Sequence, residues 1–275
     1  MSNYKIIVTD LDGTLLSKPG YLDDVDQRAM EEIVARGVMI VPCTGRTIVE
    51  TPPQVRDNPL FRYYIQSDGA VVYDKKTKER INLCMSMEDS NLLFDIFNHY
   101  TYKMRVRFEG NVYQRKMAMT EELFARFDVD PDFLCAMSPD EKLIENFEAF
   151  CRKMDGVEMV SSHFSNDPEM ERFFAELDST GRFSYVRNEM MPYCHVFSNC
   201  AGKGNALNKL REKLHFSKEE TICVGDGTND ITMLRAGGLK LAVANACEEL
   251  RAEADKVICA NRDHIMPYIL EHFIK

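Results

Sequence analysis

Residues 4–16 read YKIIVTDLDGTLL. Ile6, Ile7 and Val8 form a short aliphatic run that stops on Asp10, with Asp12 two positions on and Gly13 directly after. An apolar run of this length, without polar alternation, is the signature of a strand buried on both faces. Side chains two apart on a strand share a side, so Asp10 and Asp12 face the same way if the strand conformation persists. Gly13 predicts a bend immediately afterwards. In open α/β sheets ligands bind beyond the carboxyl ends of the strands. Two carboxylates placed there repel each other and resist ionising unless a cation joins them. A pair of loop aspartates making turn hydrogen bonds is the alternative reading of the stretch alone.

The rest of the chain repeats the rhythm. Asp23–Arg36 predicts a helix with Val25, Ala29 and Ile33 on one stripe and Gly37 as its stop. Val38–Cys43 and Arg62–Gln66 read as strands, with a helix after Thr44–Arg46 that breaks near Pro52 and Pro53. Later come helix Lys203–Leu214, strand Thr221–Val224, helix Ile231–Ala236, strand Lys240–Val243, helix Cys247–Ala254, strand Lys256–Cys259 and a last helix. Apolar strands alternating with helices predict a doubly wound parallel-sheet, Rossmann-like α/β core.

The middle differs. Lys103–Phe108 alternates with period two, Glu109-Gly110-Asn111 is turn chemistry, and Val112–Arg115 reads as the return strand. A helix over Pro139–Met154 capped by Ser138, a strand Val157–Phe164, a helix Pro168–Leu177 capped by Asp167 and a strand Phe183–Arg187 complete an α+β pattern. Residues 84–190 hold 12 basic and 21 acidic residues, whereas the flanks are close to neutral. The expected organisation is a core from 1–83 and 191–275 with an inserted α+β cap at 84–190.

Bulk properties narrow the function. The chain has 275 residues, 45% hydrophobic and 28% charged, with a formal net charge of −10. That charge argues against nucleic acid as a partner. No apolar run approaches the roughly 20 residues of a membrane helix, and the N-terminus lacks a signal-peptide pattern. A cytoplasmic location is expected, as a monomer or homodimer. Nine scattered cysteines without a C-x-x-C pair read as small buried hydrophobes rather than a zinc site.

Three further segments share the chemistry of Asp10 and Asp12. Thr44-Gly45-Arg46 follows the second strand, Gly202-Lys203-Gly204 opens a helix, and residues 225–230, GDGTND, bring Asp226, Asn229 and Asp230 to the end of another strand. Carboxylates facing cations at one sheet edge, with a hard divalent ion to join them, are the equipment of phosphoryl transfer.

In order, DLDGTLL, CTGR, GKGNAL and GDGTND resemble the four motifs of the haloacid dehalogenase-like hydrolase superfamily, and the insertion after the second is similar to the cap of its Cof-type phosphatases. The resemblance runs over the whole chain. It implies Asp10 as nucleophile, Asp12 as general acid and base, and Thr44 and Lys203 on the phosphoryl oxygens. It implies Mg²⁺ held by Asp10, the Asp12 carbonyl and Asp226, with Asp230 in support, and substrate contacts at Gly13, Gly45, Arg46 and Asn229. An acid two residues after the nucleophile favours phosphate over halide chemistry. The expected activity is Mg²⁺-dependent hydrolysis of a small phosphorylated metabolite, a sugar phosphate or phosphorylated cofactor. A phosphomutase, or a binding regulator without turnover, are the alternatives.

Departures are Cys43 before Thr44, Asp68 where Asn is common, and His195 where a carboxylate is common. Asp68 reads as a turn residue. Lys103, Arg105 and Arg107 share one strand face, and Arg105 and Arg107 are candidate contacts for a second anionic group if that face is not simply solvated.

Overall fold

The computed structural model describes residues 3–18, 20–100, 102–116, 141–188 and 191–275. The chain begins with strand β1 (Ile6–Thr9), helix α1 (Asp24–Ala35), β2 (Met39–Pro42), the short α2 (Pro53–Arg56), β3 (Tyr63–Gln66), β4 (Val71–Asp74) and β5 (Arg80–Asn82). Its middle comprises α3 (Met87–Phe97), β6 (Tyr102–Phe108), β7 (Asn111–Arg115), β8 (Lys142–Ile144), α4 (Phe147–Cys151), β9 (Val157–Phe164), α5 (Asp167–Thr180), β10 (Phe183–Arg187) and β11 (Tyr193–Ser198). It ends with α6 (Lys203–Leu214), β12 (Thr221–Gly225), α7 (Ile231–Ala236), β13 (Leu239–Ala242), α8 (Glu248–Glu253), β14 (Lys256–Val257) and α9 (Ile265–Phe273).

Two compact units result, residues 1–81 with 202–275, and residues 82–201. In the first, parallel strands run in the order β14-β13-β12-β1-β2, with Ile6 level with Thr221 on one side and Met39 on the other. A parallel bridge from Cys43 to Ile65 carries the order on to β3, which forms a three-stranded sheet with β4 and β5. Ile6, Ile7 and Val8 are wholly buried, because helices cover both sheet faces. Helix α1 starts where the Asp23 carboxylate accepts the Val25 N–H at 3.0 Å. Buried Asp26 on the same helix accepts from Met266 N at 2.9 Å, which ties α9 to α1.

The second unit is a six-stranded sheet in the order β10-β11-β9-β6-β7-β8, antiparallel except for the β7–β8 pair. Met104 and Val106 face a cluster with Phe94 and Phe97 of α3 and Phe173 and Phe174 of α5, where the Phe97 and Phe173 rings lie 4.5 Å apart.

Several expectations are corrected. Lys142–Ile144 pairs with β7 as a strand, and among the described residues only Phe147–Cys151 is helical where one helix over Pro139–Met154 was expected. An open sheet edge satisfies the backbone of this stretch, as when Lys116 N donates to Ile144 O at 2.9 Å. The expected cap at Ser138 lies outside the described residues. Helix α5 is capped by Asn166 rather than Asp167. The predicted helix after Arg46 is a loop, with helix only from Pro53. Strand β11 pairs with β9 and β10, so the second unit extends to Ala201 instead of stopping at 190.

Candidate active site

Four loops of the first unit bring their polar residues together at the carboxyl ends of its strands. Asp10 follows β1, is 7% exposed, and its N–H donates to Val224 O on β12 at 3.0 Å. Lys203, the first residue of α6, is 1% exposed. Its Nζ donates to Asp10 Oδ1 and Asp230 Oδ1, each at 2.6 Å. Asp230 Oδ2 accepts the backbone N–H groups of Asp226 and Gly227 at 3.0 and 3.1 Å, which shapes the loop after β12. The Thr14 hydroxyl donates to Asp226 Oδ1 at 2.9 Å.

Two glycines make these approaches feasible. A Cβ on Gly13, whose φ is +83°, would stand 2.3 Å from Asp226 Oδ2. A Cβ on Gly225 would stand 2.5 Å from Asp230 Oδ2. Neither loop could close with a side chain there.

The electrostatics follow from burial. Desolvation pushes the Asp10 carboxyl well above the usual carboxylate range. Lys203 opposes that push, and Asp230 and Asp226 add to it. Burial, then Asp230, pushes Asp226 up to about 6. Burial also works against the Lys203 ammonium, but Asp10 and Asp230 outweigh it and hold the lysine well above its ordinary value. One cation among three carboxylates leaves the cluster short of positive charge. Oxygens of Asp10, Asp226 and Asp230 lie within 4.8 Å of one another. An all-oxygen set of this density fits a hard divalent cation such as Mg²⁺.

Asp12 is turned to the exposed side, where Arg46 grips it bidentately, Nε to Oδ2 at 2.7 Å and Nη2 to Oδ1 at 2.8 Å. Arg46 Nη1 also donates to Glu50 O at 3.0 Å. Thr44 is 2% exposed, and its hydroxyl oxygen accepts the Arg46 N–H at 3.2 Å.

A family model for haloacid dehalogenase-like hydrolases matches residues 7–268, nearly the whole chain. The chain belongs to the haloacid dehalogenase-like hydrolase family. It is 26% identical to a putative phosphatase of Bacillus subtilis, over 98% of both chains. A crystal structure from Thermotoga maritima is 25% identical, with a TM-score of 0.76, covering 98% of this chain and 97% of the other. The structure of a subclass IIB sugar phosphatase shares the fold at 22% identity, with a TM-score of 0.79 and coverage of 98% and 100%.

In this family member the first unit gathers Asp10, Asp12, Gly13, Thr44, Gly45, Arg46, Lys203, Asp226, Asn229 and Asp230, all residues singled out in the sequence. Arg105 and Arg107 belong to the second unit and do not present a solvated face. Arg107 is 5% exposed and donates from Nη1 to Ser161 Oγ at 2.8 Å, and Arg105 Nε lies 3.3 Å from Glu141 Oε2. His195 lies in β11 of that same sheet, its Nε2 3.0 Å from the Tyr193 hydroxyl. Cys43 is buried, and desolvation pushes its thiol well up, so it serves as packing.

Sequence reasoning missed Thr14 and Asn245. Asn245 Nδ2 donates to Gly13 O at 2.8 Å and steadies the Asp12–Gly13 turn from a distant segment. Thr14 could have been found, because Asp-Gly-Thr occurs at 12–14 and again at 226–228. Nothing local marks Asn245.

Proposed function

We propose that this phosphatase hydrolyses small phosphorylated metabolites, a sugar phosphate or a phosphorylated cofactor, through an aspartyl-phosphate on Asp10. The observation that carries the reading is the buried Lys203 ammonium shared by Asp10 and Asp230, beside Asp226. A nucleophilic carboxylate needs to stay ionised next to an incoming anion, and the lysine opposes the burial that disfavours its charge while offering charge to phosphoryl oxygens.

An Asp10 oxygen attacks phosphorus as the bond to the ester oxygen breaks. Asp12 delivers a proton to the departing alkoxide, and the alcohol leaves. Asp12, now a carboxylate, takes a proton from water, whose oxygen attacks phosphorus and releases phosphate with Asp10 regenerated. The bidentate fork from Arg46 occupies both Asp12 oxygens, so Asp12 must leave that fork before it can reach the leaving group. Thr44 and Lys203 orient the transferring group, and Asn229 contributes its amide. Asp10 and Asp226, with the Asp12 carbonyl, would hold Mg²⁺, while both Asp230 oxygens are engaged by Lys203 and the loop backbone. When bound, the ion offsets the charge of carboxylates and phosphate and orients the ester.

Arg105 and Arg107 are read as contacts for a second anionic group of the substrate, supported by the polar patch they share with Ser161, His163 and His195, in which Arg107 is buried. Phosphate release from a panel of sugar phosphates and phosphorylated cofactors tests the whole reading. One ester class should turn over, with activity lost in chelator and lost by about a thousandfold or more in Asp10→Asn. Transfer of phosphate to sugar instead of water would favour a mutase. Ligand binding without turnover would favour a regulator.

A further inference from the structure

The segment Ser67-Asp68-Gly69 touches three of the four loops of the site. Ser67 N donates to Arg46 O at 3.1 Å and Asp68 N to Thr44 O at 3.2 Å. The Cα of Gly69 lies against the Gly202–Lys203 peptide so closely that a Cβ would stand 2.3 Å from the Gly202 carbonyl. Asp68 itself is 1% exposed and sits beneath Gly45, where a Cβ would approach Asp68 Oδ2 to 3.1 Å. Its Oδ1 accepts from Asn229 Nδ2 at 3.0 Å. Ser67 and Asp68 both take the left-handed backbone, with φ of +51° and +50°. Two consecutive left-handed residues other than glycine persist only where the surroundings over-determine them, and they cluster at functional sites.

We propose that Asp68 is a positioning residue that locks the side-chain amide of Asn229 in one orientation for the phosphoryl group. The argument is one of donor and acceptor identity. A carboxylate only accepts, so it dictates that Nδ2 of Asn229 points to Asp68. The amide oxygen is then directed to the Gly227 side, where a Cβ on that glycine would stand 2.8 Å from Oδ1. The second N–H of Nδ2 is left as a donor of fixed direction. An asparagine at position 68 could donate or accept, and would leave the Asn229 amide free to turn over. The carboxylate therefore gives this chain a more rigid donor at the phosphoryl pocket. This rests on the phosphatase reading, and Asp68 acts through Asn229 rather than on substrate.

The test is a double-mutant cycle of Asp68→Ala and Asn229→Ala, with Asp68→Asn as the isosteric variant. It is read by calorimetric titration with inorganic phosphate in Mg²⁺ and by kcat and KM on p-nitrophenyl phosphate and glucose 6-phosphate. Asp68→Ala should weaken phosphate binding and lower kcat by about tenfold, the scale of one well-placed hydrogen bond. On the Asn229→Ala background the same change should add less than about twofold, because the residue it acts through is gone. Asp68→Asn should fall between, and it carries the test if the alanine variant folds poorly. The ratio of kcat/KM for the two esters should not move, since the leaving group is not touched. Factors that multiply independently in the double variant, or unchanged phosphate affinity in both single Asp68 variants, overturn the proposal. A wild type that binds phosphate but hydrolyses neither ester removes the catalytic reading alone, and the binding cycle still decides Asp68. A wild type that binds no phosphate overturns both.

Discussion

Lys203 shows how one side chain ties the fold to the candidate site. It is 1% exposed between two carboxylates that are themselves nearly inaccessible. Removing one partner of a buried ion pair leaves an uncompensated charge, at a cost of about 3–5 kcal/mol. Lys203→Met should therefore lower the calorimetric melting temperature by several degrees as well as abolish turnover. Added Mg²⁺ should restore more stability to the variant than to the wild type, because the cation replaces some of the missing positive charge. A variant that melts like wild type in chelator would show that the lysine is not paired as described. The residue scale is also where the sequence was most legible. Asp10, Thr44, Lys203 and Asp226 all stand next to a glycine or at a strand end, positions whose chemistry is visible in one dimension. Asp68 was legible only as a turn residue, because its bond to Asn229 spans 161 positions.

At the scale of elements, the β3–β4 hairpin carries its own lock. Asp74, level with Tyr63, is 2% exposed and accepts from Arg62 Nη2 at 2.9 Å and from the N–H of Lys76 at 2.9 Å. Burial acts to raise its carboxyl, but Arg62 and the backbone donors at Lys76 and Thr77 outweigh burial and hold it well below the usual range. A depressed folded-state value means that the contribution to stability is complete above the unfolded value near about 4 and is lost as pH falls below it. Asp74→Asn should cost about 1–2 kcal/mol at pH 7 in urea titration, and less as the pH drops below about 4. An equal cost at pH 7 and pH 3 would rule out the ionised carboxylate as the source. The elements that were misread share a cause. Lys142–Ile144 follows a helix-like pattern locally, but the free edge of β7 makes it a strand. Tyr193–Ser198 falls within the 191–275 expected to be core, whereas its backbone pairs with β9 and β10.

For the whole molecule, one buried group in each unit responds to acid over a different range. In the second unit His163 is 4% exposed, and burial, then Arg105, Lys103 and His195, push its pKa down to about 3. The imidazole thus stays neutral in the fold, while the unfolded chain binds its proton near pH 6.5. The unfolded state then holds more protons between those values, so stability contributed at neutral pH falls from about pH 6.5 towards pH 3. Asp74 in the first unit acts only below about pH 4. In a melting profile against pH, His163→Gln should therefore lose less stability than the wild type between pH 7 and 5, without altering the loss below pH 4. An equal loss in both would remove His163 as a source.

The sequence alone determined the doubly wound core and marked the polar residues that meet at its strand ends. Both follow from local rules, the period of apolar residues along a strand or helix and the residue types that end each strand. Tertiary structure alone decided what those groups hold in place. It turned Asp12 into the grip of Arg46, set Thr14 on Asp226, aimed Asn229 at Asp68, and drew β11 into the cap sheet. Each of these is a directional bond between segments far apart in the chain, and hydrogen-bond geometry between such segments exists only once the sheet order has placed them side by side.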